Sequence, residues 1–118
     1  MIKYTQEQLS RMSDKRLNEL VARRVMGWQL RRWAVMGKYY WCPKDHNNWN
    51  DVRCLDWSPT TSWLLCGEVI GVLVAMEMNI EMGTYDGGGS EYAEIDGKNI
   101  CVCKAATRAI CEAAVFAI

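Results

Sequence analysis

Residues 78–103 read MNIEMGTYDGGGSEYAEIDGKNICVC, and this stretch decides the fold class. Residues 78–85 and 91–103 are rich in β-branched and aromatic side chains, which marks strands. Asp86-Gly87-Gly88-Gly89-Ser90 lies between them, too flexible for a core and suited to a mobile loop over about 84–91. Asp96-Gly97 is the dipeptide that favours a tight hairpin, because both central residues of that turn need a positive φ. Strands joined by such short connections run antiparallel.

Working outward, Lys104–Phe116 is an Ala-rich closing helix with Ile110, Ala113 and Ala114 on its buried side. Upstream, Ser58-Pro59-Thr60-Thr61-Ser62 opens an apolar helix running to about Met76, on which Gly67 and Gly71 lie four apart and let another backbone come close. Thr5 followed by Gln8 has capping-box spacing, giving a short helix or arm within residues 1–13. Ser13 caps a second helix over 14–26, whose Leu17, Leu20, Val21 and Val25 form one apolar stripe before Gly27 ends it. Trp28 to Trp41 reads as a strand, a turn at Met36-Gly37 and a second short strand. Residues 43–62 form a long loop carrying Trp49 and Trp57, and loops of that length are often functional. The expected fold is a single α+β domain over 1–118, helices packed on a mainly antiparallel sheet in the order α-β-α-β-β-β-α.

The composition narrows the functional classes. The chain has 118 residues, half of them hydrophobic, enough for one core and too few for two domains. Six Trp and five Tyr exclude a disordered chain. Residues 1–58 carry eleven Lys and Arg against six Asp and Glu, while residues 59–118 carry three against eight. The net charge of zero disfavours a protein that coats DNA or RNA. Val69 to Met76, the longest uncharged apolar run, falls far short of the ~20 residues of a membrane span. The first thirty residues are charged throughout, so a soluble cytoplasmic chain is expected.

Catalytic readings are thin. The six Cys at 42, 54, 66, 101, 103 and 111 read as reduced thiols, Cys66 and Cys111 as small buried hydrophobes. Cys101 and Cys103 share a strand face, but His46 is the only His and a zinc site wants four ligands. The Gly87-Gly88-Gly89 run precedes a strand, so it lacks the helix terminus that holds a phosphate. No catalytic residue, metal or cofactor is therefore expected. Binding is better supported. Arg23 and Arg24 stand on the second helix, and Lys104 and Arg108 lie four apart on the last. Arg pairs with phosphate oxygens bidentately, and Tyr85 and Tyr92 flank the Gly-rich loop as stacking platforms for a base. Taken singly, helix arginines are usually solvated and strand tyrosines usually pack; the combination carries the reading. Six Trp exceed what this core can hide, which points to a homo-oligomer with the Gly67/Gly71 face and the N-terminal helices as contacts.

Three segments resemble a known family. Leu20–Trp28 (LVARRVMGW) resembles the opening of small bacteriophage proteins of the phage ABA-sandwich domain family. Pro59–Trp63 resembles the start of their middle helix, and Ala106–Ala114 their closing helix. Together these frame residues 17–116. In size and layout the chain also resembles the first-described Thoeris anti-defence sponges, which bind cyclic nucleotide immune signals, including cyclic ADP-ribose isomers, without cleaving them. The resemblance implies a ligand held between subunits of a dimer or hexamer in the host bacterial cytoplasm. It implies Arg108 beside the phosphates, Tyr85 or Tyr92 stacked on adenine, and Arg23 and Arg24 lining a second, oligonucleotide site. Where the resemblance expects a further arginine one turn beyond Arg108, this chain has Glu112, and Lys104 one turn earlier is the candidate substitute. A small phage accessory protein that binds a host protein through its Trp-rich surface is the alternative reading.

Overall fold

A computed structural model describes residues 3–33, 37–43, 57–85, 90–97, 101–103 and 105–118. Thr5 caps α1 (Gln6–Ser10) through the reciprocal bonds of a capping box. Ser13 caps α2 (Asp14–Leu20), which runs on through one π-helical turn at Val21–Val25. The wider turn is closed by the Met26 N–H donating to the Val21 carbonyl at 3.0 Å. Gly27 then turns the chain at φ +71°, a conformation that favours glycine. The strands β1 (Trp28–Trp33) and β2 (Lys38–Pro43) form an antiparallel pair.

Ser62 caps α3 (Trp63–Ala75), its hydroxyl accepting from the Leu65 N–H. The remaining elements are β3 (Ile80–Tyr85), β4 (Ser90–Ile95), β5 (Cys101–Cys103) and α4 (Ala106–Ala117). The β3, β4 and β5 strands make a three-stranded antiparallel sheet in sequence order. At Asp96-Gly97 both φ angles are positive, +54° and +72°, as the dipeptide foretells. The Asn79 N–H donates to the Asp96 carboxylate and the Asp96 N–H to the Asn79 carbonyl, both at 2.9 Å, tying the base of the β3–β4 pair.

The chain is α+β, as expected, but its strands form two separate antiparallel sheets instead of one. The closing helix also differs in its surroundings. Instead of one buried stripe, eight of the twelve residues of α4 are buried, including Thr107 and Glu112. Ala105, Ala106, Ala109, Ala113 and Ala114 leave no bulk to hold neighbours off, so α1, α2, α3, the π turn and the three-stranded sheet all close on α4. One apolar cluster joins Leu9, Leu17, Val21, Trp41, Trp57, Val69, Leu73, Ile95 and Ile110. Cys42, Cys66 and Cys111 are free and buried, in keeping with their reading as small hydrophobes. The tip of the Gly-rich loop, residues 86–89, and the loop residues 44–56 lie outside the described residues. Among the described residues no helix is long and apolar enough to cross a membrane.

Candidate functional site

The residues singled out in the sequence occupy separate settings. Arg108 reaches from α4 to the turn between α1 and α2. Its Nε donates to Glu112 at 2.8 Å, its Nη1 to Asp14 at 2.6 Å, and its Nη2 to the carbonyls of Leu9 and Met12 at 3.0 and 2.7 Å. Burial pulls the pKa of this guanidinium down, but hydrogen bonds and charge from Glu112 and Asp14 outweigh that and raise it above its ordinary value. Arg108 is thus an internal clamp rather than a free phosphate ligand. Glu112, which departs from the resemblance, is that clamp's buried partner, with 2% of its side chain exposed.

Arg23 sits over the Trp41 ring with its Cζ 5.2 Å from the centroid, and Arg24 over the Tyr4 ring at 4.8 Å. The π turn thus presents two consecutive arginines to two different aromatic rings. Tyr92 pairs with Gly83 across the β3–β4 ladder and lays its ring over it, so that a Cβ at Gly83 would meet Tyr92 Cε1 at 2.8 Å. Tyr85 closes β3 opposite Ser90. Lys104 lies outside the described residues, as does His46. Among the described residues no group of three His, Cys, Asp or Glu could hold a metal ion.

A different place gathers ligand-type chemistry. A cleft of about 520 Å³ opens between the first turns of α2, the β1–β2 pair and the turn after Trp57. That volume suits a small molecule. Leu30 and Trp41 are cross-strand partners, so both face it from one side of the ribbon. Trp57 faces it from the turn, held edge-on against Trp28 with ring centroids 4.7 Å apart. The turn itself is pinned from two helices: the Thr60 N–H donates to Asn18 Oδ1 at 3.1 Å, and the Thr107 hydroxyl donates to the Thr60 carbonyl at 2.6 Å.

Asp14, Lys15, Asn18 and Glu19 complete the lining from α2. Each carboxylate already has a cation: Arg108 pairs with Asp14, and Arg16 with Glu19 at 3.5 Å. Lys15 has no such ion pair among the described residues, and with Arg108 shared between Asp14 and Glu112 it brings the three cations here level with the three carboxylates. The Trp57 indole N–H is buried and without an acceptor among the described residues. A buried donor of this kind costs about 1–3 kcal/mol until something accepts from it. Asn18 commits its oxygen to Thr60, leaving its amide N–H groups for a ligand.

Sequence reasoning marked Trp57 and its loop as functional but missed Asn18, Lys15 and Trp41 as its companions. The only signal for Asn18 and Lys15 was a polar cluster on the first turns of α2, which reads as an ordinary solvated face, and Trp41 reads as one of six Trp at the end of a strand. Comparison of the chain with protein-family profiles, with curated proteins and with solved structures gives no match.

Proposed function

We propose that the protein is a non-catalytic phage sponge that sequesters a cyclic nucleotide immune signal in the host cytoplasm, with the Trp41–Trp57 cleft as its base-binding end. The cleft that gathers Trp41, Trp57, Asn18 and Lys15 carries this reading, and the buried, unsatisfied Trp57 N–H would become a donor to a ligand once the ring turns it toward the cleft. A nucleobase offers ring nitrogens and carbonyls that would accept from it and a face that packs on indole. Asn18 would supply a second donor to the base edge, and Lys15 a cation to a phosphate. Arg16 offsets Glu19, Arg108 is shared between Asp14 and Glu112, and Lys15 makes up the balance, so an anion would meet no net negative charge here. The resemblance to phage proteins, with its helix-borne arginines, supports the ligand class; the cleft supports a different set of contacts from the one that resemblance implies.

The test is a binding-and-release assay. Purified protein is incubated with cyclic di- and trinucleotides and cyclic ADP-ribose isomers, free ligand is filtered off, and the protein is heat-denatured. Depletion followed by recovery of the unchanged molecule is the expected result. A new product would indicate an enzyme, and no depletion would remove the nucleotide reading. Trp57→Phe, which keeps the ring but deletes the donor, should weaken binding about five- to tenfold. Lys15→Ala should do so by a similar factor and make binding less dependent on salt.

The alternative, binding of a host protein through an aromatic surface, is supported by Trp63, which stands 58% exposed on α3. Recovery of one stoichiometric host protein, with no nucleotide bound, would favour it.

A further inference from the structure

We infer that the β1–β2 ribbon carries a second ligand subsite at Arg32 and Tyr39, which selects a ligand with two bases joined through phosphate over a ligand with one base. The inference rests on the base-binding reading of the Trp41–Trp57 cleft and extends that site along the ribbon.

Cross-strand partners in an antiparallel pair project to one face, and the faces alternate along each strand. Leu30 and Trp41 are such partners, and both line the cleft. Two residues back on the same face, Trp28 holds the Trp57 ring edge-on and closes one end. Two residues further along β1, again on that face, Arg32 stands opposite Tyr39. Both are exposed, Tyr39 to 48%. The face thus runs from a closed aromatic end, through the cleft, to an open rung of one cation and one ring.

Contacts within the chain do not explain that rung. Among the described residues Arg32 has no ion pair, and Tyr39 has neither a hydrogen bond nor a ring contact. An arginine opposite an aromatic residue commonly stacks on it, with the guanidinium within about 6 Å of the ring centroid. Arg23 does this with Trp41 and Arg24 with Tyr4, but Arg32 does not do it with Tyr39. The neighbouring Arg31 differs again. It lies on the other face, where the Gln29 side-chain oxygen, in the amide orientation that satisfies both groups, accepts from its Nε and Nη2, each at 3.2 Å. Arg32 therefore keeps its planar fork for phosphate oxygens, and Tyr39 keeps a ring face for a base.

The spacing sets the ligand class. Residues two apart on one strand face lie about 6.8 Å from each other, a gap that one phosphodiester link spans. With a first base in the cleft beside Trp41, the link passes Arg32 and a second base reaches Tyr39. A ligand with a single base leaves Tyr39 unused, however many phosphates it carries.

Isothermal titration calorimetry on the full chain tests this, with the cyclic mono- and dinucleotides of adenine and of guanine as probes. The dinucleotide should bind at least ~tenfold tighter than the mononucleotide of the same base, the effect of one added base stack. Tyr39→Ser and Arg32→Gln, both at exposed positions, should each bring the dinucleotide's affinity down toward the mononucleotide's. Equal affinity for the two probes overturns the inference and leaves the base-binding cleft standing. An equal loss for both probes in the ribbon variants also overturns it, because Tyr39 would then lie against the first base. If no probe binds, the base-binding reading falls and this inference falls with it.

Discussion

Arg108 concentrates four hydrogen bonds and two ion pairs on one guanidinium, and its partner Glu112 has almost no access to water. Removing the cation would leave the buried Glu112 carboxylate without its counter-ion and take the Arg108 donor from two carbonyls at the α1–α2 turn. Arg108→Ala should therefore lower unfolding stability by about 3–5 kcal/mol, read from urea denaturation. Arg108→Lys should recover only part of it, since one ammonium cannot span four acceptors. A loss below 1 kcal/mol would show that the clamp is dispensable. The residue's prominence was legible in the sequence, but its role was not. The spacing of Lys104, Arg108 and Glu112 on one helix face describes a charged stripe equally well on a surface or in a core. Leu9 lies 99 residues away, a separation no local pattern reports.

Among the elements, the β3–β4 pair depends on a cross-strand couple, Gly83 beneath the Tyr92 ring. Gly83→Ala should cost about 1–3 kcal/mol, because the ring must swing aside. In a Tyr92→Ala background the same substitution should cost almost nothing, and this non-additivity, measured by a double-mutant cycle, identifies the contact. Between α3 and α4, the Cys111 thiol is hydrogen-bonded to Cys66 and buried, and both causes push its pKa well above the ordinary 9.0. Cys66, whose pKa the shared hydrogen bond lowers, loses its proton first. Above pH 9 the unfolded chain releases a Cys111 proton that the folded chain retains. Stability present below that pH should then fall as pH rises above 9, and Cys111→Ala should flatten the decline. Element by element the sequence was highly readable: Thr5 and Ser13 cap as expected, the middle helix opens after Ser58–Ser62, and Asp96-Gly97 turns where it must. The π turn left no such mark, because Val21–Val25 continues a good α-helical stripe and only the tertiary packing of Arg23 and Arg24 distinguishes it.

At the scale of the molecule, the α+β class followed from period and turn chemistry, whereas the division into two sheets did not, because strand alternation says nothing about which hairpin joins which sheet. The cleft was hidden for a related reason. Asn18, Trp41 and Trp57 come from three elements far apart in the chain, and only the pinned turn at Thr60 brings them together. Asn18→Ala should release that turn, leaving a folded protein with weaker ligand binding; unchanged binding would show that the turn holds itself.

The Arg108 clamp also sets a timetable for synthesis. A ribosome adds roughly 5–20 residues per second, so α1 and α2 emerge seconds before the arginine that fastens them. Over that interval the Leu9 and Met12 carbonyls lack their partner, and Asp14, on the cleft wall, lacks its counter-ion. A nascent chain truncated before residue 108 should be readily cut by protease at the α1–α2 turn, and the same turn should become resistant once α4 has been made.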